Sequence, residues 1–243
     1  MRAAACLILL LVVGKADAKR LWQIGIEDDS AMEFALAKEG YQRFSGSDFG
    51  WEDKFFLIGH SKETTDMPYV LPSVADGWAG TSNTAGLRTH NFNIFFTLSE
   101  CRSRGDWWLV LDFVDSHSVH PPMMRIVING KSYTTHLSAG GGDNSLAGDY
   151  TSARHPRVEL DLGGALFHKG HNQISITAVE GSWSILDCIT LFSTNDAVLQ
   201  TEFQDLYLTS IEAADYLTQG GEIQPLLVGV EHLSGTPPAR SYA

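Results

Sequence analysis

Cysteine is scarce in this 243-residue chain: there are three, and Cys6 falls within the first eighteen residues. No CxxC pair or other metal-type spacing occurs, which excludes the common zinc-ribbon and dithiol redox arrangements. Cys101 and Cys188 remain. They can pair in an oxidising compartment, but Cys188 lies in the apolar stretch SWSILDCITLF, where a buried thiol fits equally well. Long apolar runs are also lacking, since the longest, Ala3 to Val13, is well short of the roughly 20 residues of a membrane-spanning helix. Basic residues are few, with 17 Lys and Arg against 29 Asp and Glu and a formal net charge of −12. Such a chain disfavours nucleic acid and other polyphosphates as partners, and an acidic polymer would need local Arg or Lys, or a bridging cation, to be held. GxGxxG and P-loop patterns, EF-hand spacing, a GxSxG elbow and internal repeats are all missing.

What is present begins with MRAAACLILLLVVGKADA, a basic start, an apolar run and small residues at Ala16 and Ala18. This is the layout of a secretory signal peptide over residues 1–18, and it predicts a secreted or periplasmic protein with no transmembrane segment, beginning near Lys19.

The mature chain reads as short strands separated by Gly, Pro, Asn and Asp clusters, the pattern of an all-β sandwich or barrel. The clearest strands are LWQIGI, KFFLIG, FNIFFTL, WWLVLDFV, MRIVING, RVELDL, HNQISITAV and SWSILDCITLF. In NQISITAV, Ile174, Ile176 and Ala178 share one face while Ser175 and Thr177 share the other. INGKSY predicts a hairpin, because Asn129-Gly130 is the pair a type I′ turn prefers. One double-sheet domain is expected over 19–195. The remainder, 196–243, reads as a linker and an incomplete second β-domain, the alternative being that its strands complete the first sandwich. The loops 61–90 and 137–156 are long for a compact domain, and the glycines of AGGGDNSLAGD in the second predict flexibility.

A saccharide site needs flat exposed aromatics, which pack against the axial C–H face of a pyranose, and polar neighbours that capture its hydroxyls. Two loop tryptophans have such company. Trp51 has Asp48, Glu52 and Asp53 beside it, and Trp78 lies in VADGWAGTSNTAGLRTH with Asp76, Asn83, Arg88 and His90. Trp51 and Trp78 are therefore the expected stacking platforms, with Asp53, Arg88 and His90 as hydrogen-bonding partners, and a lid on the core is the competing role for each indole. Arg88 has the bidentate fork that suits a uronate carboxylate. Trp22 and Trp183 are assigned to the core. Trp107 and Trp108 are adjacent on a strand and must face opposite ways. Acids at strand ends, including Glu27, Asp28, Asp29, Asp112, Asp115 and Asp187, carry the oxygens a structural calcium ion takes. Turn chemistry explains each of them singly. The histidines are scattered and assemble no catalytic set by spacing, HSVH at 117–120 included.

Taken in order, LWQIGIEDDSAMEFAL, DFGWEDKFFLIG, LRTHNFNIFFTL, WWLVLDFVDS, MRIVINGKSY and GSWSILDCITL resemble the carbohydrate-binding-like β-sandwich domain of rhamnogalacturonan lyases, polysaccharide lyase family 4, and related modules of bacterial polysaccharide-degrading enzymes. The opening stretch with Trp22, Ile24, Gly25, Asp28 or Asp29, Ser30, Glu33 and Phe34 is its most specific part. The resemblance implies a galactose-binding-like jelly roll, used as a non-catalytic module that binds a polysaccharide or oligosaccharide of pectin type. It equally admits a domain that buttresses other domains of a larger enzyme, and a small lyase is the third reading.

Overall fold

Every second side chain of the segment around Ile174 turns inward, and that alternation, repeated from strand to strand, builds two facing sheets. The computed structural model describes residues 18–50, 53–80, 90–102, 105–202, 206–213 and 226–233. The first sheet runs in the order β1 (Lys19–Gly25), β10 (Ser184–Ser193), β5 (Trp107–Ser116), β8 (Arg157–Leu162), with β3 (Val70–Leu71) also pairing β10. The second runs β11 (Val198–Gln200), β4 (Phe92–Glu100), β9 (Gly170–Glu180), β6 (Met123–Ile128), β7 (Lys131–His136), with β2 (Lys54–Leu57) parallel to β4. Apart from β2, the pairings within both sheets are antiparallel. The fold is thus the all-β sandwich that the strand pattern and the resemblance imply.

Ile24, Leu109, Leu111 and Leu191 from the first sheet meet Ile94, Phe96, Ile126, Ile174 and Ile176 from the second, each fully buried. Burying a side chain of this size is worth about 1.5–3 kcal/mol, so this interior dominates the stability of the fold. Trp107 belongs to this core, its ring 4.5 Å from that of Phe167. Trp108 lies outside the core cluster yet is only 7% exposed, so neither indole of the pair is a platform. The predicted hairpin is present: β6 and β7 join through Asn129 (φ 46°) and Gly130 (φ 85°), both in the left-handed region a type I′ turn requires. Cys101 and Cys188 are both free thiols, Cys188 buried within β10.

The tail strands β12 (Leu206–Ala213) and β13 (Leu226–His232) pair with each other and with neither large sheet. Tyr207 anchors this hairpin: it is 3% exposed and its ring lies 5.9 Å from Phe55 and 6.0 Å from Phe95.

Candidate functional site

Antiparallel pairing brings the connections after β1, β3, β5, β7 and β9 to one end of the sandwich. There a cleft of about 250 Å³ is lined by Tyr41, Asp76, Trp78, His117, Asp143, Leu146, Ser182 and Trp183. Its aromatic wall is braced from behind. Trp78 is half-buried on a one-turn 3-10 segment, Gly77–Ala79, with the edges of Tyr41 and Phe44 set against it at 5.1 and 5.7 Å. Trp183, 2% exposed, supplies apolar surface from the interior side and meets the His117 ring edge-on at 5.9 Å.

Asp76 ties two of these connections together. Its Oδ1 accepts the Ser182 hydroxyl at 2.5 Å, its Oδ2 accepts the Ser73 N–H at 2.7 Å, and the Trp78 side chain donates as well. Burial pushes the Asp76 carboxyl above its ordinary range, opposed by these donors and by nearby His117. The backbone of His117 donates to Trp183 O at 3.1 Å, while its Nδ1 accepts the N–H groups of Val119 and His120 at 3.1 and 2.9 Å. With Nδ1 engaged as acceptor, Nε2 carries the proton of the neutral ring, 3.9 Å from Asp143 Oδ1.

The 137–156 connection is built rather than loose, contrary to the flexibility its glycines predict. Asp115, fully buried at the end of β5, accepts Gly141 N–H at 2.8 Å, Arg154 N–H at 3.3 Å and the Ser145 hydroxyl at 2.5 Å. The Tyr69 hydroxyl adds a bond to Leu146 O at 2.9 Å. Gly140 and Gly141 are there for close approach: a Cβ on the first would lie 1.7 Å from Ser116 O, and on the second 1.8 Å from Ser152 O. The loop therefore holds Asp143 and Leu146 in fixed positions at the cleft.

Of the residues singled out from sequence, Trp78 lines the cleft and Asp76 stands beside it. His90 does not reach the surface. It is fully buried against Phe44, with Nε2 3.2 Å from Ala79 O, because it shares the inward parity of Phe92, Ile94 and Phe96 on entering β4. It braces the turn that carries Trp78 instead of presenting itself to a ligand. Asp53 is half-buried and accepts both the backbone and side-chain N–H groups of Asn91 at 3.0 Å, joining the starts of β2 and β4, and it does not line the cleft. Trp51 and Arg88 lie outside the described residues. Tyr41, Asp143 and Ser182 carry no mark in the sequence, His117 is one of its scattered histidines, and Trp183 is assigned there to the core alone. The one available signal is that HSVH and GSW both sit at strand ends.

Five of the six acids read as calcium-type oxygens, Glu27, Asp29, Asp112, Asp115 and Asp187, have partners for their side chains within the protein. Asp112 takes Arg157 through both oxygens at 2.8 and 2.9 Å, and Asp115 organises the loop above. Among the described residues, no three His, Cys, Asp or Glu side chains gather as a metal site. Asp187 accepts the N–H groups of Asp28 and Ser30, both at 3.3 Å. Burial pushes its carboxyl up to about 6, those two donors pull it down, and the charges of Asp29 and Asp28 raise it. A carboxyl raised by folding holds its proton in the folded state, so its stabilising contribution is intact below the ordinary carboxylate range and is lost as pH climbs through about 6. Asp187→Asn keeps an oxygen for both donors. In urea unfolding, its stability relative to wild type is expected to improve steadily from about pH 4 to about pH 7. A difference that stays constant with pH contradicts this assignment.

The chain matches the family described as CBM-like: Polysaccharide lyase family 4, domain III, over residues 20–191. No curated protein sequence matches it. Among solved structures, it is similar to a family 35 carbohydrate binding module from an environmental isolate, at 11% identity and TM-score 0.32, covering 43% of this chain and 66% of that one. The family 35 module of Abf62 from Cellvibrio japonicus gives 17% identity and TM-score 0.28 with the same shares. An exo-beta-1,3-galactanase from Phanerochaete chrysosporium gives 18% identity and TM-score 0.28, covering 43% of this chain and 21% of that enzyme. The chain thus spans just under two thirds of the first two and about a fifth of the third.

Proposed function

We propose that this chain, which belongs to the CBM-like domain III family of polysaccharide lyase family 4, binds a saccharide in the cleft at the loop end of its sandwich. The observation that carries this reading is the convergence, from five separate connections, of Tyr41, Trp78 and Trp183 with Asp76, Asp143, His117 and Ser182 on one small concavity. Such a surface offers a pyranose what it needs: π faces and edges for its C–H groups, and fixed polar atoms for its hydroxyls. Trp78 supplies the stacking surface, Asp143 accepts a hydroxyl proton, and His117 Nε2–H donates to a sugar oxygen. In this reading the domain is an exported, non-catalytic accessory that holds a pectin-like polysaccharide, while bond cleavage belongs to another part of a lyase or hydrolase. The basic, apolar and small-residue succession over 1–18 supports export.

Affinity electrophoresis through gels containing pectic polysaccharides tests the reading. Wild type is expected to be retarded, and Trp78→Ala, with an unchanged circular dichroism spectrum, is expected to lose most of that retardation. Retention equal to wild type in a folded Trp78→Ala protein removes this cleft as the site.

A second reading, a domain that supports the remainder of a larger enzyme, is favoured by the β12–β13 hairpin, where Val228 and Val230 are 54% and 50% exposed. It predicts no retardation on any polysaccharide gel.

A further inference from the structure

The size and charge of the cleft narrow the ligand, on the reading that a saccharide binds there. At about 250 Å³ it is smaller than the roughly 300–1,000 Å³ pockets that enclose drug-sized ligands, and it is on the scale of one sugar ring. Its charged lining is acidic: Asp76 and Asp143 belong to it, and among the described lining residues there is no Lys or Arg. The donors that would otherwise meet an anion are already committed. The Ser182 hydroxyl, the Ser73 N–H and the Trp78 side chain all turn onto Asp76. His117, among the described lining residues, has its Nδ1 turned onto the N–H groups of Val119 and His120, and its Nε2 stands 3.9 Å from the carboxylate of Asp143. A uronate carboxylate entering this space would leave water for acceptors instead of donors, at the cost of an incompletely solvated anion beside a like charge. An uncharged ring carries hydroxyls that donate to Asp143 and accept from His117.

We propose that the cleft takes a single uncharged sugar ring and rejects the uronic acid of the same configuration. In a pectin-like polymer it would thus engage neutral residues and leave the galacturonate backbone aside, in contrast to the uronate capture expected from Arg88. Asp143, the exposed carboxylate of the pair at 77% side-chain exposure, is the selecting group.

The test uses the whole mature protein and three matched sugar pairs followed by NMR titration at low salt: galactose and galacturonic acid, glucose and glucuronic acid, mannose and mannuronic acid. In whichever pair binds, the acid is expected to bind about tenfold more weakly than the neutral sugar, the size of a like-charge interaction at about 6 Å in a partly solvated site. Asp143→Asn is expected to bring that ratio down to about threefold, and raising the salt to about 0.3 M is expected to narrow it in wild type. An acid that binds as tightly as its neutral partner, or a ratio indifferent to both Asp143→Asn and salt, overturns the proposal while leaving the saccharide site intact. Failure of every sugar to bind removes the site itself and the proposal with it.

Discussion

Replacing Asp115 with alanine is expected to lower the unfolding free energy by about 3 kcal/mol, because a fully buried carboxylate leaves three donors without an acceptor and each stranded polar group costs about 1–3 kcal/mol. The donors are Gly141 N–H, Arg154 N–H and the Ser145 hydroxyl, which lie at the two ends and the middle of the loop above the first sheet. Their release frees Asp143 and Leu146, so binding in the proposed site is expected to weaken along with stability. Asp115→Asn separates shape from charge. It keeps one acceptor oxygen and turns an N–H₂ group toward donors, so its loss is expected to fall between wild type and Asp115→Ala. Urea unfolding of the three proteins measures this order, and an Asp115→Ala protein within 0.5 kcal/mol of wild type, about the scatter of neutral surface changes, contradicts the role assigned to the carboxylate.

Gly141→Ala is expected to damage the same wall by crowding. Its methyl group would be placed 1.8 Å from a backbone carbonyl, Ser152 O, which cannot swing aside as a side chain does. The two arms of the loop must then separate, at a cost of about 1–3 kcal/mol. Limited proteolysis is expected to cut the variant within 137–156 faster than wild type. Gly163→Ala is the matched control, since a Cβ there meets nothing within 4 Å. Equal cleavage rates in Gly141→Ala and Gly163→Ala contradict a rigid loop.

The two cases also show which parts of this molecule were legible in its sequence. The alternation of Ile174, Ile176 and Ala178 against Ser175 and Thr177 is a local pattern tied to a two-residue period, and strand and inward face follow from it, while Thr177 on the other face is also buried, at 4% exposure, with its hydroxyl donating to Asn91 Oδ1. Asn129-Gly130 predicts its turn for an equally local reason, the cost of positive φ for other residues. The cleft has no such local mark. Tyr41, Asp76, His117, Asp143 and Ser182 each come from a different connection, and only strand order brings them together. His90 misled because it keeps company with Trp78 in the sequence, whereas the parity of β4 carries its side chain inward. Gly140 and Gly141 misled because composition alone does not tell flexibility from tight backbone contact. The fold was readable from local periods, and the site needed the topology.

Trp107 in the core is an internal reference for Trp78 at the cleft, because both indoles report from one protein solution. The direct measurement is a titration of the ¹⁵N-labelled protein with neutral oligosaccharides released from pectin, following the indole N–H resonances assigned through Trp78→Phe and Trp107→Phe. Binding in the cleft is expected to shift the Trp78 indole signal saturably while that of Trp107 stays in place. Saturable binding that leaves the Trp78 signal unmoved would show that the sugar sits elsewhere on the protein.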